Sequence, residues 1–531
     1  MTDWLEKAVF YEIYPQSFFD SNGDGIGDLP GILQKLEYLQ FLGVNAVWLN
    51  PCFASPFQDA GYDVSDYYQV APRYGTNADL KKLFDEAGRL GIRIFLDLVP
   101  GHTSIESAWF KESCKVERNK YSDWYIWTNS IWTWNAPGVQ TVIGYAERDG
   151  NYITNFFHFQ PALNYGFANP DPDHPWQQPV EAPGPQAVRQ ELKNIMKFWL
   201  RLGASGFRVD MAGSLVKRDP DGKATASIWK EIRLWLDREY PEAALVSEWS
   251  NPRVAIPAGF HMDFMLPFAE NGYQVLFRKH DPDQGNVSFF HPAGRGNVRA
   301  FLDEYLSNYN ATRAQGFIAI PSGNHDTTPR LGNDRTPADV ELAFLFLLTV
   351  PGVPFLYYGD EIGMRSPASL KSKEGGYGRT GARTPMQWDD TLNAGFSTAP
   401  AGKLYLPVEV APDRPNVAAQ QPDAGSLLNH VRSLIALRQS HPALAASAGF
   451  EAVYAEAGKY PFVYKRTSAE ETLLIGLNPA DRPCEVALPA DLFTQPPETL
   501  FGEQDPFQLA GDQWLLRLPG VSGGLYLLRR G

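Results

Sequence analysis

Two rhythms alternate along the chain: short unbroken apolar runs, and stretches whose apolar residues recur every three or four positions. Ala46-Val47-Trp48-Leu49-Asn50 is a run of the first kind, read as a buried strand. Before it, a helical pattern starts at Pro30, a first-turn position, and stops at Gly43. Asn77 then reads as an N-cap, followed by Leu80, Leu83, Phe84 and Ala87 on one helical face and by Gly91 as a stop. Ile92 to Val99 follows directly, strand-length and rich in β-branched and aromatic side chains. Strand, helix, strand is the order of a parallel sheet.

The rhythm breaks between about His102 and Gln186, where Trp124, Trp127, Trp132 and Trp134 and the prolines 170, 172, 175, 179, 183 and 185 replace periodic segments. This predicts an inserted subdomain. The pattern resumes with Val188, Leu192, Ile195, Met196 and Trp199 at helical spacing, Gly203 as a stop, and Gly206 to Asp210 as a strand. Ala8–Tyr11, Ala244–Glu248, Met262–Leu266, Gly316–Ile320 and Val353–Tyr358 complete a set of eight strand candidates.

Eight strands separated by helices fit an α/β fold of the (β/α)8 TIM barrel type, enlarged by an insertion after the third strand. A doubly wound sheet is the rival, but no Gly-x-Gly-x-x-Gly turn follows the first strand. Beyond about residue 445, Phe462–Lys465, Leu473–Leu477 and Gly524–Leu528 come without helices between them, which predicts a C-terminal antiparallel β domain. The expected division is 1–101 with 187–444 for the barrel, 102–186 for the insertion and 445–531 for a sandwich-like β domain.

Composition narrows the function classes. Of 531 residues, 44% are hydrophobic and 20% charged, an ordinary soluble mix with material for a large core. Lys+Arg 47 against Asp+Glu 61 gives −14, which disfavours nucleic acid and anionic lipid as partners. Three scattered cysteines offer neither a disulfide framework nor a CxxC metal site, and no apolar stretch is long enough for a membrane span. A cytoplasmic protein with no organic cofactor is the expectation.

Barrel enzymes carry their chemistry at the carboxyl ends of the strands. Asp97, Asp210, Glu248 and Asp326 fall at such ends, and several carboxylates around one barrel mouth are costly unless they work. Arg208, two residues before Asp210, shares its side of the strand and favours an ionised, nucleophilic carboxylate. Glu248 has Trp249 as an apolar neighbour that favours a protonated acid. An ionised and a protonated carboxyl, about 5–5.5 Å apart, are what retaining glycoside cleavage needs.

Five segments in order, Gly61-Tyr62-Asp63-Val64, Asp97 to Ser104, Gly206 to Asp210, Val246-Ser247-Glu248-Trp249 and Gly323-Asn324-His325-Asp326, resemble the α-amylase family of retaining glycoside hydrolases over nearly the whole chain. The resemblance implies Asp210 as nucleophile, Glu248 as general acid/base and Asp326 as the carboxylate that distorts and stabilises the sugar. It implies that Tyr62, His102 and His325 bind the sugar and that Arg208 orients Asp210. Ala382-Arg383-Thr384-Pro385-Met386-Gln387-Trp388-Asp389 is similar to the α-glucosidase, oligo-1,6-glucosidase and trehalose synthase branch, where this Arg383 pairs with Asp63 and closes the pocket around a terminal glucose.

Asp20, Asn22, Asp24, Ile26 (through its carbonyl) and Asp28 stand at positions 1, 3, 5, 7 and 9 of an EF-hand-like loop with Gly25 at position 6, although Gly31 replaces the final Glu. The resemblance also places a structural Ca²⁺ or Mg²⁺ loop here. A second calcium site, common in related amylases, is not expected, because Gly101 stands in place of the usual Asn and Ala162 in place of an Asp. Met211, after the nucleophile, matches neither familiar linkage preference. The expected function is a retaining, exo-acting α-glucosidase on short oligosaccharides. Transglucosylation or trehalose synthase-like isomerisation is the alternative, and a non-catalytic barrel acting as a partner subunit is the remote one.

Overall fold

The computed structural model describes residues 3–134, 138–267, 272–367, 369–489 and 491–529. Eight parallel strands close into a barrel in chain order: β1 (Phe10–Ile13), β2 (Ala46–Leu49), β3 (Arg93–Leu98), β4 (Gly206–Val209), β5 (Ala244–Ser247), β6 (Met262–Phe264), β7 (Phe317–Pro321) and β8 (Val353–Tyr357). β1 pairs with both β2 and β8, which closes the ring. Each overlaps one of the eight runs read from the sequence, the first shifted two residues along to Phe10–Ile13, because a strand covered on both faces is written as an unbroken apolar run.

Phe10, Trp48, Phe95, Met262, Phe264, Phe317 and Phe355 pack together with Ala46, Ala244 and Ala319 as one buried cluster drawn from the barrel strands. Phe10 and Phe355 stack at 4.2 Å. Gly206 is glycine for a reason of space: a Cβ there would lie 2.6 Å from the Phe95 ring. Two residues further along, the same pleat turns polar. Glu12 follows Phe10, Asp97 follows Phe95 and Arg208 follows Gly206, and the register sets Asp97 beside Arg208.

Local chemistry explains where element boundaries differ from the expectation. The stretch from Pro30 to Gly43 forms two helices, Leu29–Gln34 and Leu36–Leu42, separated by Lys35 at φ −104°, ψ 7°. The next helix is capped by Thr76 rather than Asn77: Thr76 Oγ1 accepts from Asp79 N, and Asp79 returns a carboxylate oxygen to Thr76 N, a capping box. Asn77 instead ties Tyr68 O and Val70 N in the preceding segment. The helix before β4 spans Pro183–Leu202, starting on proline where a missing N–H costs nothing, and Gly203 ends it at φ 129°.

Between β3 and that helix the chain forms a short helix, Ala108–Ser113, and a hairpin of Gln140–Val142 with Tyr152–Thr154. Trp124 and Trp127 are buried there, while Trp132 and Trp134 face solvent. From Gly449 onward, antiparallel strands build a five-stranded and a three-stranded sheet, which include Phe462–Thr467, Thr472–Asn478 and Ser522–Leu528. Among the described residues no helix is long and apolar enough to cross a membrane.

Candidate active site

A cavity of about 520 Å³ opens at the carboxyl ends of the strands, lined among others by Asp59, Tyr62, His102, Asp210, Glu248 and Asp326. Its floor is organised by one buried guanidinium. Arg208 Nη1 lies 2.9 Å from Asp97 Oδ1 and 2.8 Å from Asp210 Oδ1, and Nη2 lies 2.9 Å from Glu248 Oε2. Three carboxyls thus share one positive charge. Asp97 also accepts from Trp48 Nε1 and Tyr62 OH, both at 3.1 Å, so it acts as the anchor that holds Arg208 in place.

Burial pushes the Glu248 carboxyl up to about 7, aided by Asp210 and opposed by Arg208 and the Met211 amide. Burial and Asp97 raise Asp210 as well, with Arg208 pulling the other way. Asp326 goes in the opposite direction: burial alone would raise it, but the guanidiniums of Arg383 and Arg379 hold it well below the usual carboxylate range. The pocket therefore holds a permanent carboxylate next to two whose protons are exchangeable near neutral pH.

Asp326 Oδ1 receives Arg383 Nη2 at 2.7 Å and Arg379 Nη1 at 3.0 Å. Both arginines belong to one 3-10 helix, Tyr377–Arg383, whose turn brings them to the same oxygen. His325 is fixed between elements, with Nδ1 2.8 Å from Glu12 Oε1 and Nε2 2.8 Å from Tyr62 OH. His102 has partners on both ring nitrogens, Tyr62 O at 3.1 Å and Asn155 Nδ2 at 3.3 Å. Burial drops both imidazoles to about 3, so both are neutral.

One expected pair is not formed. Asp63 does not meet Arg383: its carboxylate accepts from Ser55 Oγ at 2.9 Å, Gln58 N at 2.9 Å and Asp59 N at 3.0 Å, and is absorbed in its own loop. Arg383 pairs with Asp326 instead. The carboxylate that lines the pocket is Asp59, which accepts from Gln160 Nε2 at 2.8 Å and faces Arg379 Nη2 at 4.0 Å. The sequence has both aspartates, but which one faces inward is decided by the left-handed turn at Ala60 (φ 50°) and Gly61 (φ 104°) between them. Glu12 and Arg379 were also missed; Arg379, four residues before Arg383 in a Gly-rich turn, could have been found by that spacing.

In the loop after β1 the side chains of Asp20, Asn22, Asp24 and Asp28 close the loop's own successive turns. Asp20 accepts from Asn22 N at 3.1 Å and Gly23 N at 2.8 Å, Asn22 from Asp24 N at 2.9 Å, and Asp24 from Ile26 N at 2.8 Å. Asp28 caps the next helix through Gly31 N at 2.6 Å and takes Ser21 Oγ at 2.9 Å. Among the described residues no three His, Cys, Asp or Glu side chains converge as a metal-ligand set. The donors are hard oxygens with lone pairs left over, which suits Ca²⁺ or Mg²⁺ in kind.

Comparison with known proteins agrees with this geometry. The model of the α-amylase catalytic domain matches residues 12–447. The trehalose synthase/amylase TreS of Mycobacterium tuberculosis is 32% identical over 97% of this chain and 89% of its own. The oligo-1,6-glucosidase of Heyndrickxia coagulans is 32% identical over 92% of this chain and 95% of its own. Among solved structures, trehalulose synthase MutB superposes with a TM-score of 0.80 at 27% identity, covering 99% of this chain and 100% of that one. The chain belongs to the α-amylase family of glycoside hydrolases and transglycosylases.

Proposed function

We propose that the protein is a retaining, exo-acting α-glucosidase of short substrates, in which Asp210 attacks the anomeric carbon and Glu248 protonates the departing oxygen. Glu248, then ionised, takes a proton from water as that water opens the glucosyl ester. Asp326 stays charged beside the sugar and stabilises positive character at the ring in the transition state. The observation that carries this reading is the shared guanidinium: Arg208 holds Asp210 and Glu248 through its two terminal nitrogens. A single guanidinium span favours the short carboxyl separation of retaining enzymes over the wide one that admits a water between them.

Exo-action rests on the far wall. Arg379 stands between Asp59 and Asp326, with Arg383 behind Asp326. Charge-assisted groups there can bind the hydroxyls of a terminal glucose and leave no path for a longer chain. Transfer to an acceptor sugar, or isomerisation, uses the same intermediate, and relatives named trehalose synthase and trehalulose synthase make this the second reading. Product chromatography after incubation with maltose, isomaltose, sucrose, trehalose and soluble starch tests both: free glucose from the short sugars supports hydrolysis, new disaccharides support transfer, and an early ladder of mid-length oligosaccharides from starch rejects exo-action. The Asp20–Asp28 loop is further proposed to take Ca²⁺ or Mg²⁺ as a structural ion, away from the chemistry.

A further inference from the structure

A cluster outside the groups assigned above lies where the inserted segment meets the loop after β4. Lys217 Nζ donates to Asn155 Oδ1 at 2.6 Å and to Ser214 O at 2.8 Å. Among the described residues no carboxylate lies within ion-pair distance of this ammonium, so its orientation is set by these two neutral acceptors. An ammonium can only donate, so it fixes which way round the Asn155 amide sits. The oxygen faces Lys217, and the nitrogen faces Ser214 Oγ at 3.1 Å, His102 Nδ1 at 3.3 Å and Met211 Sδ at 4.0 Å.

The amide nitrogen is also a donor only. His102 Nδ1 must then be the acceptor, its proton sits on Nε2, and Nε2 donates to Tyr62 O at 3.1 Å. The residue before His102 makes this possible. A Cβ on Gly101 would lie 2.5 Å from Asn155 Nδ2 and 3.2 Å from Ser214 Oγ, although Gly101 has no positive φ that would demand glycine.

We propose that Asn155, oriented by Lys217, is a positioning residue that keeps His102 Nδ1 free of a proton and, together with Tyr62 O at Nε2, locks the neutral Nε2–H tautomer at the pocket wall, and that position 101 is glycine to admit it. A histidine ring free to flip or to exchange tautomers would present a different edge to the sugar, and small misplacements at a reacting centre are costly in rate. The lock also ties His102 to Met211 and Ser214, two other residues of the pocket lining.

Asn155→Asp is the discriminating variant. It keeps the shape and gives Lys217 an ion-pair partner, so the fold is preserved, but it replaces the donor with an acceptor: His102 Nδ1 takes up a proton while Nε2–H stays on Tyr62 O, and the ring becomes an imidazolium. Nitrogen-15 spectra of labelled histidines, with the His102 signal among the nine histidines identified by its loss in His102→Gln, read this protonation state without substrate. The expected result is a His102 ring protonated on both nitrogens where the natural protein carries a proton on Nε2 alone, with an unchanged melting temperature and a fall in kcat/KM on p-nitrophenyl α-glucoside on the order of 10- to 100-fold. Gly101→Ala should lose activity in the natural background and cost little more in Asn155→Ala, because the clash is gone. The proposal rests on the pocket being the α-glucoside site, yet its spectral test does not: if the natural protein turns over none of the sugars, the tautomer measurement still stands. An unmoved His102 spectrum in Asn155→Asp, or additive losses for Gly101→Ala and Asn155→Ala, overturns it.

Discussion

The Met211 amide donates to Glu248 Oε2 at 3.0 Å, and it reaches that oxygen because Met211 adopts φ 44°, ψ 44°. A left-handed non-glycine residue costs about 1 kcal/mol or more, so the turn after Asp210 stores strain to aim one N–H at the acid. Met211→Gly should keep the N–H, relieve the strain and lose side-chain contact, for a net stability change within about 1 kcal/mol. The alkaline limb of the pH profile should stay in place while the preference between maltose and isomaltose changes several-fold. A limb displaced by a whole pH unit would show that the backbone geometry, and with it this link, depends on the Met side chain.

Glu248 predicts how activity and stability move with pH. As the acid it must be protonated, so the rate should fall as pH rises through about 7. Below neutrality the rate should fall again as Asp210 takes up a proton, giving a narrow bell whose limbs belong to the coupled pair. Its raised folded-state value also means that the folded protein holds a proton between the ordinary value of 4.5 and about 7 that the unfolded chain releases. Its contribution to stability therefore declines as pH rises through that window. Glu248→Gln, freed of this loss, should gain melting temperature relative to the natural protein more at pH 8 than at pH 5; equal differences at both would contradict the buried-acid account.

Glu12 illustrates a proton whose place follows from geometry. His325 Nδ1 faces Asn50 Nδ2, a donor only, at 3.0 Å and Glu12 Oε1 at 2.8 Å. With Nδ1 as acceptor, Glu12 is the protonated donor, in line with burial raising it well above the ordinary carboxylate value. His325 Nε2–H then points at Tyr62 OH, which donates to Asp97. Glu12→Gln, which keeps an N–H donor, should retain activity within a few-fold, whereas Glu12→Ala should lose much more. Equal damage from both would show that a hydrogen bond to His325 is not what Glu12 supplies.

Asp210→Asn and Glu248→Gln should each lose several orders of magnitude in kcat while remaining folded, and the double variant should lose far less than the product, since both act on one intermediate. Steady-state rates of the three variants check this; simple multiplication of the two losses would separate the residues mechanistically.

Chelation tests the loop after β1. If the ion binds only the folded state, chelator should lower the melting temperature and Ca²⁺ or Mg²⁺ should restore it. An unchanged melt, with no metal by elemental analysis, would mean that the turns closed by Asp20, Asn22 and Asp24 suffice on their own.

The barrel was legible because buried parallel strands leave an apolar signature that needs no partner to be read. Arg208 and Asp210 were legible for a related reason: two residues apart on a strand, they share a face. The exchange of Asp63 for Asp59 was not, since it turns on the φ angles of Ala60 and Gly61 and on which backbone amides the loop offers. The Thr76 cap likewise competed with Asn77 at the adjacent position, and only the long-range bonds of Asn77 to Tyr68 and Val70 decided between them. Glu12 reads as part of an apolar strand and acquires meaning only through His325, 313 residues away.

The central claim is that Asp210 forms a covalent glucosyl intermediate which Glu248 first creates and then opens. Proton NMR of the first minutes of maltose or p-nitrophenyl α-glucoside turnover measures it directly, through the anomeric signal of the newly released sugar. Two displacements at one carbon predict the α-anomer first, with the β-anomer appearing only at the rate of mutarotation. Initial release of the β-anomer would contradict the account.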